Sequence, residues 1–324
     1  PAWSPAPVVA IAHHLWGRSI FAESAWPVAT VVWASEYLIP IAYRAVPWLA
    51  VSESTRAELA EWGIHPDQVA VAPNAIAGPP RGTRQAAVAP SPAGTPRVVW
   101  IGRMRRYKRV DVLLRAFAVV RAAIPDATLD LIGDGPEATA LRKLAASLNL
   151  SEPTVTFHGA VDEATKWALL RRATVLAQPS MKEGWGRTVL EAGAVGVPSV
   201  VSDVPGLRDA VRPEISGLLV KPDDPVALAT SIIRLLHDRS ARRRLGEGAR
   251  AVAAAYRWDA TTDVIEASLA GAVRDTALVS VPAHAADGVV TATADLSVPA
   301  ASSTPSAAPS QVTIGTESVA GPVV

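Results

Sequence analysis

The stretch "TVLAQPSMKEGWGRTVLEAGAVGVPSVVSD", residues 174–203, holds two short apolar runs separated by a glycine-containing loop and an amphipathic segment. "TVLAQPS" and "PSVVSD" have the length and β-branched content of buried strands, and "RTVLEAGAVG", residues 187–196, has helical spacing. Strand, helix and strand in succession form the repeating unit of a parallel sheet. Such a sheet binds ligands beyond the carboxyl ends of its strands, where helix N-termini point. The loop "MKEGWG" falls at that place. Gly184 and Gly186 remove Cβ atoms where a ligand would approach the backbone, and the first N–H groups of the helix form an anion site. Glu183 and Glu191 stand eight positions apart on either side. A phosphate would repel them, so they are read as acceptors for sugar hydroxyls flanking a diphosphate. The plainer alternative is an acidic loop residue and a solvated helical glutamate.

The same alternation extends in both directions. Strands are expected at "RVVWIG", "ATLDLIG", "TVTFHGA" and "GLLVKP", with helical patterns near 108–124, 136–148, 162–172, 206–211, 224–237 and 240–256. Residues 97–270 therefore read as a doubly wound α/β domain. A second cluster, "GRMRRYKRVDVLL" at 102–114, follows a strand and leads into a helix, with five basic residues among the eight from 102 to 109. A local cationic turn of this kind is suited to neutralising a diphosphate, the alternatives being a solvated loop or a nucleic-acid patch. The turn "LIGDGPEATAL", residues 131–141, lacks dinucleotide-fingerprint spacing.

Residues 1–77 read as part of another α/β domain: strands at "APVVAIAHH", "PWLAVS" and "VAVAP", an apolar helical stretch over about 24–44, and a helix "ESTRAELAEWG" capped by Ser52 or Ser54. His13 and His14 close the first of these strands. Six of the ten tryptophans lie in the first 62 residues, expected as packing, with a lipid- or acceptor-facing surface as the alternative. Residues 78–96 read as a Pro/Gly/Ala-rich linker, and 271–324 as a disordered low-complexity tail.

Composition narrows the function. The 324 residues carry a formal charge of +1, too balanced for a general polyanion binder. With no cysteine, thiolate metal sites, disulfides and thiol nucleophiles are excluded. No D-x-D, H-E-x-x-H, P-loop or G-x-S-x-G pattern is present, which leaves metal-dependent transfer and zinc or serine hydrolysis without support. A cytoplasmic location is expected, at the inner face of a membrane if the tryptophan-rich segment touches lipid.

Taken in order, "AHH", "VSESTRAEL", "VAPNAI", "GRMRRYK", "GDGP", "FHGAV", "EGWGRTVLEAGAVGVPSVVSD" and "GLLVKPDDP" resemble family 4 of the retaining glycosyltransferases over about 8–270. The resemblance implies a GT-B fold of two Rossmann-like domains facing across a cleft. Here the N-terminal, acceptor-side domain is incomplete and the last helix crosses back to it. It implies transfer of a hexose from a nucleoside diphosphate of UDP or GDP type to a carbohydrate or lipid-linked acceptor, without metal or other cofactor. By the same resemblance Arg103 and Lys108 hold the diphosphate, and Glu191 binds ribose. Glu183 and His13 (His14 as second choice) face the donor sugar at the catalytic centre. Gly184, Trp185, Gly186, Arg187, Thr188 and Val189 contribute backbone amides. A catalytically incompetent nucleotide-sugar-binding module is the competing expectation, and a sugar-nucleotide epimerase a third.

Overall fold

The computed structural model describes residues 4, 6–79 and 94–279. Three apolar runs near the amino end pair in parallel: β1 (Ala10–Ala12), β2 (Trp48–Ala50) and β3 (Val69–Val71), with Ile11 beside Leu49 and Leu49 beside Ala70. The helical stretch expected over 24–44 is divided into α1 (Ile20–Glu23), α2 (Trp26–Glu36) and α3 (Ile39–Tyr43). Pro27 and Pro40 explain the division. Each occupies a first turn, where a missing N–H is harmless, and neither fits inside a longer helix. In α4 (Glu53–Glu61) the cap is Ser52, whose hydroxyl accepts the Thr55 amide at 3.1 Å. Trp48 is buried, whereas Trp16, Trp33 and Trp62 are half-buried and Trp26 is 73% exposed.

The second sheet contains β4 (Arg97–Ile101), β5 (Thr128–Ile132), β6 (Val155–Gly159), β7 (Val175–Gln178), β8 (Ser199–Ser202) and β9 (Gly217–Val220), all parallel. Its helices are α5 (Val110–Ala123), α6 (Ala138–Ser147), α7 (Glu163–Arg172), α8 (Arg187–Ala194), α9 (Leu207–Ala210), α10 (Pro225–His237) and α11 (Arg239–Ala255). β4 shows why both faces are covered. Val98 and Trp100 pack with Leu113, Phe117 and Ile232 from α5 and α10, while Val99 and Ile101 pack with Trp167, Leu170 and Val189 from α7 and α8. Aspartates cap three of these helices: Asp162 accepts the Thr165 amide at 2.7 Å, Asp224 the Ala227 amide at 2.9 Å and Asp238 the Ala241 amide at 2.9 Å.

Strand order is β6-β5-β4-β7-β8-β9, so the winding reverses between β4 and β7. A crevice opens at such a switch point, beyond the carboxyl ends of the two strands.

Correction is needed at the carboxyl end. The first nine residues of the tail expected from 271 are helical, because α12 (Trp258–Val279) runs through them, and the helix packs onto β2 and β3. The Ala-rich composition that looked structureless is compatible with helix once a partner surface exists. The remainder of that tail and most of the expected linker lie outside the described residues.

The two sheets are tied by specific contacts. Trp185 packs with Val51, Leu190, Ile76 and Tyr256, and its indole N–H donates to the Asn74 carbonyl at 2.9 Å. Asp209 accepts the Ser54 amide at 2.9 Å, Thr261 donates to the Pro73 carbonyl at 2.7 Å, and Lys182 pairs with Glu58.

Candidate functional site

Between the loops that follow β4 and β7 lies a cavity of about 330 Å³. After Ile101 the chain passes Gly102, whose amide donates to the Ile132 carbonyl at 3.0 Å, and enters a 3-10 turn over Arg106–Lys108. The five basic residues of this segment then separate. Arg103 and Lys108 line the cavity, and Arg103 makes no ion pair among the described residues. Arg105 faces Glu23 at 3.9 Å, Arg106 pairs with Glu137 at 3.3 Å, and Arg109 pairs with Asp111 and Asp223 at 3.1 and 2.6 Å. Arg109 has φ 50°, a left-handed conformation that ends the turn and starts α5.

β7 contributes Gln178, the loop after it Glu183 and Trp185, and α8 Arg187, Thr188 and Glu191. Glu183 accepts a hydrogen bond from the Ser180 hydroxyl at 3.1 Å and is in close contact with the Lys108 ammonium. The predicted phosphate cation and the predicted sugar-facing carboxylate are thus partners here. Glu191 is buried within α8, where its carboxylate meets Lys166 Nζ at 3.0 Å and Arg187 Nε at 3.6 Å. Gln178 Oε1 at the floor is buried with no donor among the described residues.

Several expected roles look different in three dimensions. The Cβ missing from Gly184 would lie 1.8 Å from the His13 carbonyl oxygen, and that missing from Gly186 would lie 2.7 Å from Ala210 Cβ. These glycines make room for protein: one admits the end of β1, the other α9. The Arg187 and Val189 amides already donate, to the carbonyls of Trp185 and Gly186 at 2.9 and 3.0 Å. Neither Gly184, Gly186 nor Val189 lines the cavity, and the Trp185 ring serves the inter-sheet core as well as the cavity wall.

His13 reaches the site through its backbone. Its side chain and that of His14 line a neighbouring cavity of about 600 Å³ with Trp16, Glu36, Tyr43 and Trp48. Desolvation, reinforced by the Lys182 cation, lowers the His14 pKa from the usual imidazole value, against the opposing pull of Glu183, Glu58 and Glu36. His14 stands edge-on to Trp16 with centroids 5.0 Å apart, and Trp16 edge-on to Tyr107 at 5.7 Å, so aromatic contacts join β1 to the cationic turn.

Lys166 and Glu163 were missed by the sequence analysis, and both line the cavity from the first turn of α7. The signal was available in "FHGAVDEATKW", because α7 starts just beyond the carboxyl end of β6. Together the lining holds four cations, Arg103, Lys108, Lys166 and Arg187, and three carboxylates, Glu163, Glu183 and Glu191. Among the described residues no group of three His, Cys, Asp or Glu side chains could hold a metal ion, and no helix is long and apolar enough to cross a membrane.

Comparison with known proteins agrees with this architecture. The glycosyltransferase family 4 model matches residues 1–77, and the glycosyl transferases group 1 model matches residues 83–252. A D-inositol 3-phosphate glycosyltransferase of Salinispora tropica is 40% identical over 174 residues, covering 51% of this chain and 36% of the relative. The N-acetyl-alpha-D-glucosaminyl L-malate synthase of Bacillus anthracis is 34% identical over 153 residues, 47% of this chain and 39% of the relative. The chain thus spans only about two-fifths of the length of the curated relatives it matches. Among solved structures, sucrose-phosphate synthase from Thermosynechococcus elongatus superposes with a TM-score of 0.65 at 28% identity, covering 84% of this chain and 68% of that one. Anabaena HepE, in complex with UDP and glucose, shares the fold with a TM-score of 0.65 at 21% identity, covering 82% and 72%. With more than half of its residues matched by one family model and two parallel sheets packed together, the second opening a crevice at its switch point, this chain belongs to the glycosyl transferases group 1 and has the GT-B fold.

Proposed function

We propose that this chain binds a nucleoside-diphosphate hexose in the switch-point cleft and transfers the sugar, with retention and without a metal, to a carbohydrate or lipid-linked acceptor. One observation carries the reading: Arg103 and Lys108 from the segment after β4 meet Glu183 from the loop after β7 and Thr188 and Glu191 from α8 around a single cavity of about 330 Å³. These residues are up to 88 positions apart in sequence and would not converge by local structure alone. The diphosphate sits between Arg103, Lys108 and the start of α8, with Glu191 towards ribose and Glu183 towards the hexose. Transfer breaks the bond from C1 to the diphosphate oxygen and forms one from C1 to the acceptor oxygen on the same face. The acceptor proton passes to the departing phosphate. Arg103 and Lys108 stabilise the charge that develops there, in a site where fixed charges need little reorganisation. Lys108 is held in place beforehand by Glu183.

The names of the curated relatives make a phosphorylated cyclitol a sensible first acceptor to assay. Contact with a lipid surface belongs to the same proposal, supported by exposed Trp26, Val28, Val31, Leu38 and Ile41 on and beside α2 and α3.

Calorimetry with UDP and GDP in the presence of EDTA tests the core of the reading. One of them binds, and Arg103→Gln or Lys108→Met weakens it. Absence of binding by both nucleotides overturns the proposal, while binding without donor hydrolysis or transfer leaves a nucleotide-sugar-binding module. Trapping a glycosyl-enzyme after replacement of Glu183 or His13 would refute same-face attack. Protein that stays in solution during liposome flotation ends the lipid proposal.

A further inference from the structure

Lys166 has no part in the roles assigned so far, yet it is the most enclosed cation of the cleft, with 9% of its side chain exposed. Its ammonium lies 2.8 Å from Glu163 Oε1 and 3.0 Å from Glu191 Oε1, and 5.4 Å above the ring of Trp167. Glu163 is fixed in turn, because its Oε2 accepts the Trp167 indole N–H at 3.1 Å. The chain Trp167, Glu163, Lys166, Glu191 therefore runs from the core of the sheet to the cleft. Glu191 has one further cation nearby, Arg187 at 3.6 Å, beyond hydrogen-bond length and on a side chain half exposed.

We propose that Lys166 is a positioning residue for Glu191: it engages Oε1, so that Oε2 is left aimed into the cleft as the acceptor for vicinal hydroxyls of the nucleotide ribose. This rests on reading the cleft as a nucleotide site. The physical reason is the cost of a buried carboxylate. With 7% of its side chain exposed, the Glu191 carboxylate gains little from water and needs a partner that satisfies one oxygen and fixes its orientation. A carboxylate fixed in this way discriminates sharply. A nucleotide lacking the hydroxyls leaves it unsatisfied, and sites built to bond a hydroxyl reject the analogue without it strongly. A carboxylate free to rotate loses much of that selectivity. Recognition of the ribose is thus set by a lysine on a different helix, 25 positions earlier in the chain.

Calorimetry on the full chain with UDP, GDP and their 2′,3′-dideoxy analogues tests the proposal. The wild type prefers the ribonucleotide by about ten- to a hundredfold. In Lys166→Met this preference falls to about twofold or less, through loss of ribonucleotide binding rather than gain of the analogue. Lys166→Arg restores part of it, Glu191→Gln removes it, and the double variant Lys166→Met/Glu191→Gln is no worse than Glu191→Gln alone. A merely structural role weakens ribonucleotide and analogue equally and leaves the ratio unchanged, which overturns the proposal. If Lys166→Met does not fold, Lys166→Gln, which keeps a neutral donor, gives an intermediate ratio, and a wild-type ratio there refutes the idea equally well. The underlying reading fails separately: no binding of either nucleotide, or equal binding of nucleotide and analogue by the wild type, removes the nucleotide or ribose assignment itself.

Discussion

Gly184→Ala is the most direct test of how the two sheets build the cleft. Its φ is not in the left-handed region, so alanine meets no backbone penalty and the cost is steric. The new Cβ would lie 1.8 Å from the His13 carbonyl oxygen and 2.9 Å from its carbon, whereas separations under 3.0 Å are essentially unknown. Backbone at one side or the other must therefore move by at least 1.2 Å, the difference between 3.0 and 1.8 Å. No rotamer change relieves it, because the obstacle is main chain. Nor can the loop retreat freely, since the Glu183 carbonyl is pressed by Gly206, where an added Cβ would sit 2.4 Å away. Overpacking of this kind costs about 1–3 kcal/mol. In a chain of this size that lowers the melting temperature by roughly 2–12 °C. The displaced segment carries Glu183 and leads into α8, so nucleotide affinity falls as well. Thermal melting followed by circular dichroism, with calorimetry of UDP and GDP, reads both effects. A melting temperature within about 1 °C of wild type, with unchanged nucleotide affinity, would show that β1 does not rest on this loop.

Gly271→Ala is the opposite case, in α12 with nothing near the added Cβ; it stabilises the protein by about 0.5–1 kcal/mol, seen as a higher urea midpoint. Burial alone would raise the Asp130 carboxyl, but hydrogen bonds from His158 and Arg97 outweigh it and hold its pKa below the usual carboxylate range. The stability from this group is present above the unfolded value and is lost as pH falls through the lower folded one. Asp130→Asn accordingly destabilises by about 3 kcal/mol at pH 7, and the gap from wild type narrows in melts below about pH 4. Trp185→Phe keeps the ring among Val51, Leu190 and Tyr256 but removes the donor to Asn74, which costs about 1 kcal/mol by chemical denaturation; no measurable loss would mean that the bond is incidental.

Much of the cleft was legible because it follows from strand order and local pattern. Apolar runs such as "RVVWI" and "TVLAQ" read as buried parallel strands, and the segments after them, with Arg103, Lys108 and Glu183 in loops and turns and Glu191 in α8, line one cavity. Where the reading of Gly184 and His13 departed from the structure, a neighbour distant in sequence was responsible. Gly184 looked like space for a ligand and is space for the His13 carbonyl. His13 looked like a side-chain participant and meets the β7 loop through its main chain. The last nine residues of α12, 271–279, looked like tail because their Ala-rich sequence shows no amphipathic face of its own, although the helix as a whole packs back onto β2 and β3 as the resemblance implied.

Periodicity, turn residues and charge density act over a few neighbouring residues, and so the chain's own order of amino acids was enough to place the strands, most of the helices and the loops that carry cations or carboxylates. Which of those charges face one another is a property of packed backbones. Lys108 against Glu183 and Lys166 against Glu191 are pairings across 75 and 25 positions, created only when β4, β6 and β7 lie in one sheet and their loops share a single crevice.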